Sequence, residues 1–224
     1  MRSIAHRLLG AAQARLHRAL ARTRVRVRPG SRVHYSNFGV GLLGRLLAEG
    51  DRGPWAVGTG YADLLAERVT APLGLTGTGC GPDPVRQAVG HWHGRPVPPW
   101  RMPALPGAGA VRSTARDLAR YLSAHLAPPG EAEGGGLATA LREVQRPRLV
   151  RIGTPGRDGL CLVWNLRRLG ARELFFHSGA TRGFTSFVGF CPQAGVGVAA
   201  LTNTGPTVEG RFTQAAYGLL RSLL

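Results

Sequence analysis

Lysine is absent. All 29 basic residues of this 224-residue chain are arginine, set against 12 acidic residues for a net charge of +17. Isoleucine occurs only twice, while Gly, Ala, Leu and Val abound. That bias is a codon-usage signature, so part of the charge is background. A nucleic-acid interface would need its cations clustered on one face. The densest run, "RTRVRVR" with Arg22, Arg24, Arg26 and Arg28, alternates as the solvent side of an extended segment does. No specific nucleic-acid partner follows from it. Cysteine is scarce, at positions 80, 161 and 191, with no C-x-x-C pair. This excludes a disulfide framework and a zinc motif. Cys161 and Cys191 lie in apolar runs and read as small core residues. His91-x-His93 with Cys80 is the nearest approach to a metal set, but it lacks the further ligands a closed site needs. No metal or cofactor is expected.

Long apolar runs are also missing, and none approaches the ~20 residues of a membrane span. The first 23 residues place Ile4, Leu8, Ala12, Leu16 and Leu20 at fourfold spacing, with arginine throughout. They read as an amphipathic helix that packs on a core rather than as a signal peptide. An apolar content of 43% is enough for a real core, and the length suits one large domain or two small ones.

Periodicity divides the chain. "FGVGLLGRLLAEG" puts Leu42, Leu43, Leu46 and Leu47 on one helical side with Gly50 as a stop, and "GYADLLAERVTAPLGL" is a second helix closed by Pro72. A Gly/Pro-rich loop follows from about 76 to 110. "STARDLARYLSAHL" opens on Thr114-x-x-Asp117, a capping-box pattern. "APPGEAEGGG", 127–136, reads as the flexible break. Beyond it, "LCLVWNLRR", "ELFFHSG", "GFTSFVGF" and "VGVAALTN" alternate as strands between turn signals. The final helix shows Phe212, Ala216, Leu219 and Leu223 on its apolar face. The expectation is an α+β fold, with a mostly helical region at 1–130 followed by an antiparallel sheet and C-terminal helix at 137–224.

Two stretches carry chemistry. "HYSN", residues 34–37, stands at the mouth of a helix, and "FFHSGATRGF" ends a strand in small residues. Small residues let a ligand approach the backbone, whose free N–H groups can bind a developing oxyanion. Together with "APLGLTGT", "GAGAVRSTARDLARYL" and "VGVAALTN", in that order, they resemble the serine β-lactamase and penicillin-binding-protein superfamily. The resemblance is to its class C-like β-lactamase-related serine hydrolases and esterases in particular. It implies a β-lactamase-like fold acting on a β-lactam, a D-Ala-type peptide or an ester. Tyr35 and His177 would be catalytic, with Tyr35 moving protons at the nucleophile. Asn37, Ser178, Gly179 and Ala180 would bind substrate: Asn37 through its amide, Ala180 through its N–H as an oxyanion donor. His177-Ser178-Gly179 stand where the family has Lys-Thr-Gly.

The resemblance also requires a Ser-x-x-Lys nucleophile, and here no serine stands three residues before a lysine, because there is none. The chain is therefore expected to match about the C-terminal two-thirds of such a protein, without its N-terminal strands and nucleophile helix, and to be inactive alone. A mis-called start, a split-gene half and a pseudogene product stay open. The strand "VGVAALTN", uncharged and free of proline, is expected to be an exposed sheet edge. Such an edge invites a missing N-terminal segment or a second copy. The competing reading is a non-catalytic module that keeps the groove and captures acyl or peptidoglycan-like ligands, and behind it stands a basic nucleic-acid-binding protein.

Overall fold

The computed structural model describes residues 14–24, 26–28, 31, 33–52, 60–81, 87–150 and 159–224; Ile4, Leu8 and Ala12 lie outside these. Two compact units form. The first takes the described residues up to Ala66 with Gly79–Gly81 and Arg101–Val111, and the second takes the rest.

In the first unit residues 14–22 are helical (α1), with Leu16 buried. Helix α2 spans Asn37–Arg52 and α3 spans Gly60–Leu65, running on into a π-helical turn, Ala66–Thr70, short of Pro72. α2 continues past Gly50, since one glycine costs only about 1 kcal/mol relative to alanine. Its buried side also differs from the leucine face that the periodicity predicts. Gly41, Gly44 and Ala48 face inward, while Leu43, Leu46 and Leu47 are exposed. The cause is close backbone approach. A Cβ on Gly41 would stand 2.6 Å from Leu105 Cβ, and one on Gly44 would stand 2.9 Å from the Tyr61 ring and 3.1 Å from Gly107 Cα. The glycines thus let the 3-10 turn Pro106–Ala108 and Tyr61 seat directly on the helix.

The strands are β1 (Gly79–Cys80), β2 (Gly90–Trp92), β3 (Arg95–Val97), β4 (Val111–Arg112), β5 (Leu149–Val150), β6 (Gly159–Leu160), β7 (Asn165–Leu169), β8 (Arg172–Thr181), β9 (Phe184–Cys191) and β10 (Val196–Thr202). In the second unit β10-β9-β8-β7-β6-β5 form one antiparallel sheet in that order, with β10 at its edge. β2 and β3 make a hairpin inside the Gly/Pro-rich stretch that composition reads as loop. Its two turn residues, His93 and Gly94, have φ of 49° and 75°, the left-handed pair that a type I′ turn requires.

Helices cover both sheet faces. α4 (Ala115–Leu126) packs on β9 and β10 from one side, and α6 (Arg211–Ser222) packs on them from the other. Thr114 caps α4, accepting from the Asp117 N–H at 3.1 Å. The reciprocal half of the capping box is replaced. Asp117 Oδ2 instead accepts from Gly77 N–H and the Thr78 hydroxyl, both at 2.7 Å, tying loop 77–78 to the helix. α5 (Glu131–Glu143) runs through Gly134–Gly136, where the sequence suggests a break. Ala138 and Leu141, both buried, anchor its later turns, and that burial outweighs the low glycine propensity. α6 buries Ala216 and Leu220, with Phe212 and Tyr217 beside them, whereas Leu219 and Leu223 are exposed. Its inner face is thus rotated from the predicted one. Among the described residues no helix is long and apolar enough to cross a membrane.

His125 sits inside the core with 2% of its surface exposed. It stacks on Phe190 at 5.0 Å and meets Tyr121 and Trp164 edge-on at 4.7 and 5.2 Å. The Gln145 amide nitrogen lies 3.3 Å from Nδ1, so Nδ1 accepts and the proton resides on Nε2, which has no hydrogen-bond partner. Burial pushes this imidazole down to about 4 from 6.5. The folded state holds it neutral, whereas the unfolded chain protonates it below 6.5. The stability tied to neutral His125 is therefore complete above pH 6.5 and is lost as pH falls towards 4, on the order of 3 kcal/mol. Urea unfolding at pH 7.5 and 4.5 should show a loss about 2–3 kcal/mol smaller in His125→Phe than in the parent. Equal losses would remove His125 as the cause.

The sheet register generates a second expectation. β7 pairs with β8 only as far as Asn165 opposite Phe176, whereas β9 pairs with β8 through Thr181. Among the described residues, β8 therefore has one side without a strand partner from His177 to Thr181. In an antiparallel strand with a single partner, alternate amides point away from that partner. Hydrogen exchange should find every second amide of 177–181 fast, and 173–176 uniformly slow. Uniform protection across 177–181 would mean that the edge is covered.

Candidate functional site

The two motif stretches lie in different compact units, and each has its own local geometry. In the first unit, Ser36 makes the helix start. Its Oγ accepts from Gly39 N–H at 3.0 Å, and its carbonyl accepts from Val40 N–H at 3.0 Å. Capping is thus done by the middle residue of Tyr-Ser-Asn. Asn37 is the first helical residue and is exposed, its amide not engaged as the cap. Tyr35 precedes the cap with 72% of its surface exposed, and its carbonyl lies 3.0 Å from His34 Nδ1. The cap fixes the chain between Tyr35 and Asn37, while the glycine face of α2 holds the helix in its unit.

In the second unit, His177, Ser178, Gly179 and Ala180 follow one another along the open end of β8. His177 is half-buried, and burial lowers its pKa from the ordinary 6.5, so the imidazole is neutral at pH 7. Ser178, Gly179 and Ala180 are exposed. Gly179 faces Ser186, whose hydroxyl donates to the Gly179 carbonyl at 3.3 Å; a Cβ on Gly179 would stand 3.2 Å from that Oγ. The side chains along this edge are small, and the backbone is the feature a ligand would meet. A neutral imidazole can accept or donate a proton, and edge N–H groups without a strand partner among the described residues can polarise a carbonyl.

The turn that ends β8 is clamped by residues that sequence reasoning did not single out for this purpose. His91 N–H donates to Asn203 O at 2.8 Å and to Gly183 O at 3.3 Å, and Gly205 N–H donates back to His91 O at 2.8 Å. Asn203 Nδ2 donates to Val89 O at 2.9 Å. Gly90 and Gly183 touch closely: a Cβ on Gly90 would stand 2.6 Å from the Phe184 ring, and one on Gly183 would stand 2.7 Å from Val97 Cγ2. The hairpin β2–β3 therefore braces the β8–β9 turn, and glycine-for-contact was the only signal of it in the sequence. At the other end of the open edge, Asn165 Nδ2 donates to Phe176 O at 3.3 Å, where β7 stops. His91 and His93 thus have structural positions, one bridging strands and one in a turn. Among the described residues no three His, Cys, Asp or Glu side chains gather as a metal set.

Comparisons with known proteins bear on the family and the fold. The family model described as Beta-lactamase matches residues 3–222. The D-alanyl-D-alanine-carboxypeptidase/endopeptidase AmpH of Escherichia coli K12 is 25% identical over 209 residues, covering 89% of this chain and 52% of that protein. Penicillin-binding protein 4 of Amycolatopsis lactamdurans is 28% identical over 209 residues, covering 87% and 53%. The chain thus spans about half the length of the curated relatives it matches. The solved D-alanine carboxypeptidase AmpC of Burkholderia cenocepacia superposes with a TM-score of 0.77 at 24% identity, over 93% of this chain and 66% of that one. At that identity the likeness shows the fold. A family model that covers nearly every residue and a shared α+β fold leave one assignment: the chain belongs to the beta-lactamase family.

Proposed function

We propose that this chain carries the acyl-binding side and the proton-handling pair of a β-lactamase-related acyl-transfer site. The observation that supports it is the open edge of β8. It combines exposed Ser178, Gly179 and Ala180 with a neutral, half-buried His177 at its start. In this reading the Ala180 N–H stabilises the oxyanion, the edge holds the acyl group, and Asn37 takes its amide side. Tyr35 and His177 move protons. The substrate class is a D-alanyl-type peptide, β-lactam or ester; two curated relatives are named for carboxypeptidase or penicillin binding. Tyr35, Asn37 and His177 would then share one substrate.

A double-mutant cycle on binding of an acyl-D-alanyl-D-alanine peptide tests that sharing. Asn37→Ala and His177→Ala should each weaken binding, with a coupling of at least about 0.5 kcal/mol, because groups meeting one ligand do not act independently. Strict additivity would separate the two halves.

The nucleophile is the missing element. With no Ser-x-x-Lys in these 224 residues, no side chain pairs an activated serine with a lysine base. The chain by itself should give no covalent adduct with a penicillin or a fluorophosphonate. Intact-mass detection of a stoichiometric serine adduct would overturn this. In the same reading the open edge of β10 takes a partner strand, from a nucleophile-bearing segment or a second copy. The second reading, a non-catalytic module capturing acyl or peptidoglycan-like ligands, draws on the same missing pair. It predicts tight binding without turnover even when a nucleophile-bearing partner is supplied.

A further inference from the structure

Strands β6 and β7 are joined by a tight turn, residues 161–164, closed by Cys161 N–H donating to Trp164 O at 2.9 Å. Its ends are fixed in the core. Cys161 and Trp164 are buried, and Cys161 Sγ donates to Gln145 O at 3.2 Å. Between them Leu162 and Val163 point outward, 59% and 51% exposed. Turn centres ordinarily take glycine, asparagine or proline, so a bulky apolar pair here meets no need of the turn itself.

The register shows where this pair stands. Asn165 opposite Phe176 is the last β7–β8 pair, and Leu160 pairs with Asn165 across β6–β7. The turn therefore continues the line of β7 past Asn165, beside His177 and Ser178. It thus follows on from β7 on the β7 side of β8, at the point where the β7–β8 pairing stops and the open side begins. An extended ligand pairing with the open edge of β8 must pass this turn, and alternate side chains of such a ligand project to either face.

We propose that Leu162 and Val163 form a fixed apolar lip that selects, at the open edge of β8, a peptide-like acyl group bearing an apolar side chain. This rests on the reading of β8 as the acyl-binding edge. The lip is held by two buried neighbours and needs no ordering when a ligand arrives, so apolar contact is realised as specificity. One well-placed apolar side chain is worth about tenfold or more in discrimination.

The test uses the whole chain and two blocked tripeptides, acetyl-Ala-Leu-Ala-amide and acetyl-Ala-Ser-Ala-amide, titrated while the backbone amide resonances of residues 177–181 are followed. The leucine peptide should bind about tenfold more tightly. In Leu162→Ser/Val163→Ser that preference should collapse while affinity for the serine peptide stays unchanged. In Leu162→Met/Val163→Ile it should persist. Equal affinities in the parent, or a preference that survives the serine variant, overturn the lip while shifts at 177–181 still uphold the acyl edge. Absence of any shift at 177–181 with either peptide overturns both.

Discussion

Strand β9 is buried on both faces, and the second unit is arranged around that fact. Phe190 and Val188 point into the core shared with Leu122, Trp164 and Phe175. Phe187 and Cys191 point the other way, into the core shared with Leu174, Ala216 and Leu220. A central strand with two wet-excluded faces cannot slip by one residue, because every side chain would exchange cores. The neighbours obey the same alternation: Phe175 faces one core while Leu174 and Phe176 face the other. Where large side chains on both faces would hold the helices away, glycines admit them. A Cβ on Gly189 would stand 2.8 Å from Leu220 Cδ2, and one on Gly197 would stand 3.4 Å from Leu122.

That fixed register decides what β8 can offer. β8 is held by β7 from Arg172 to Phe176 and by β9 from Phe175 onward, so its upper half, His177 to Thr181, projects from a paired base rather than from a loop. The β2–β3 hairpin then braces the turn at the far end through His91 and Asn203. An edge positioned by strands at one end and a clamp at the other is held more precisely than a loop could hold it. Burial of His177 follows from the same placement, and so does its neutral state.

The sequence was most legible where alternation is strict. "ELFFHSG", "GFTSFVGF" and "VGVAALTN" fall on β8, β9 and β10, and Thr114 caps α4 as its spacing suggests. It was least legible where glycine or a neighbouring helix sets the geometry. Leucine periodicity misplaces the inner face of α2, because the closest contacts are made through Gly41 and Gly44, which a hydrophobicity pattern cannot see. α6 is misread by one flank: Tyr217, packed at a tilt on Phe176 with Arg167 over its ring at 5.5 Å, belongs to the inner face, and Leu220 rather than Leu219 enters the sheet. "EAEGGG" reads as a break because local propensity says so, and tertiary anchoring at Ala138 and Leu141 overrides it. In the site, the motif residues were visible as types, but the capping role of Ser36 between them was not, and the hairpin that braces β8 carries no motif.

The residues at the open edge also show how little side-chain chemistry such an edge demands. A carbonyl docked there, as proposed, would meet main chain, and the N–H groups it would use belong to any sequence that stays extended and small. Gly179 is held to that size by Ser186, and Ser178 and Ala180 keep the approach open. The one side chain with acid–base capacity on this stretch, His177, has lost the positive charge that a lysine would bring. An electrostatic contribution from a fixed cation is therefore missing at this position. In the proposed reading the polarising of a carbonyl would fall to backbone dipoles, which act at short range and most strongly when the edge is dry. An apolar turn beside that edge, at Leu162 and Val163, is the kind of surface that excludes water when a ligand covers it, and dipoles gain strength as the local dielectric falls. Under the proposed acyl-edge reading, the apolar lip and the uncharged histidine would be two parts of one physical solution: weaker charge, compensated by a drier edge.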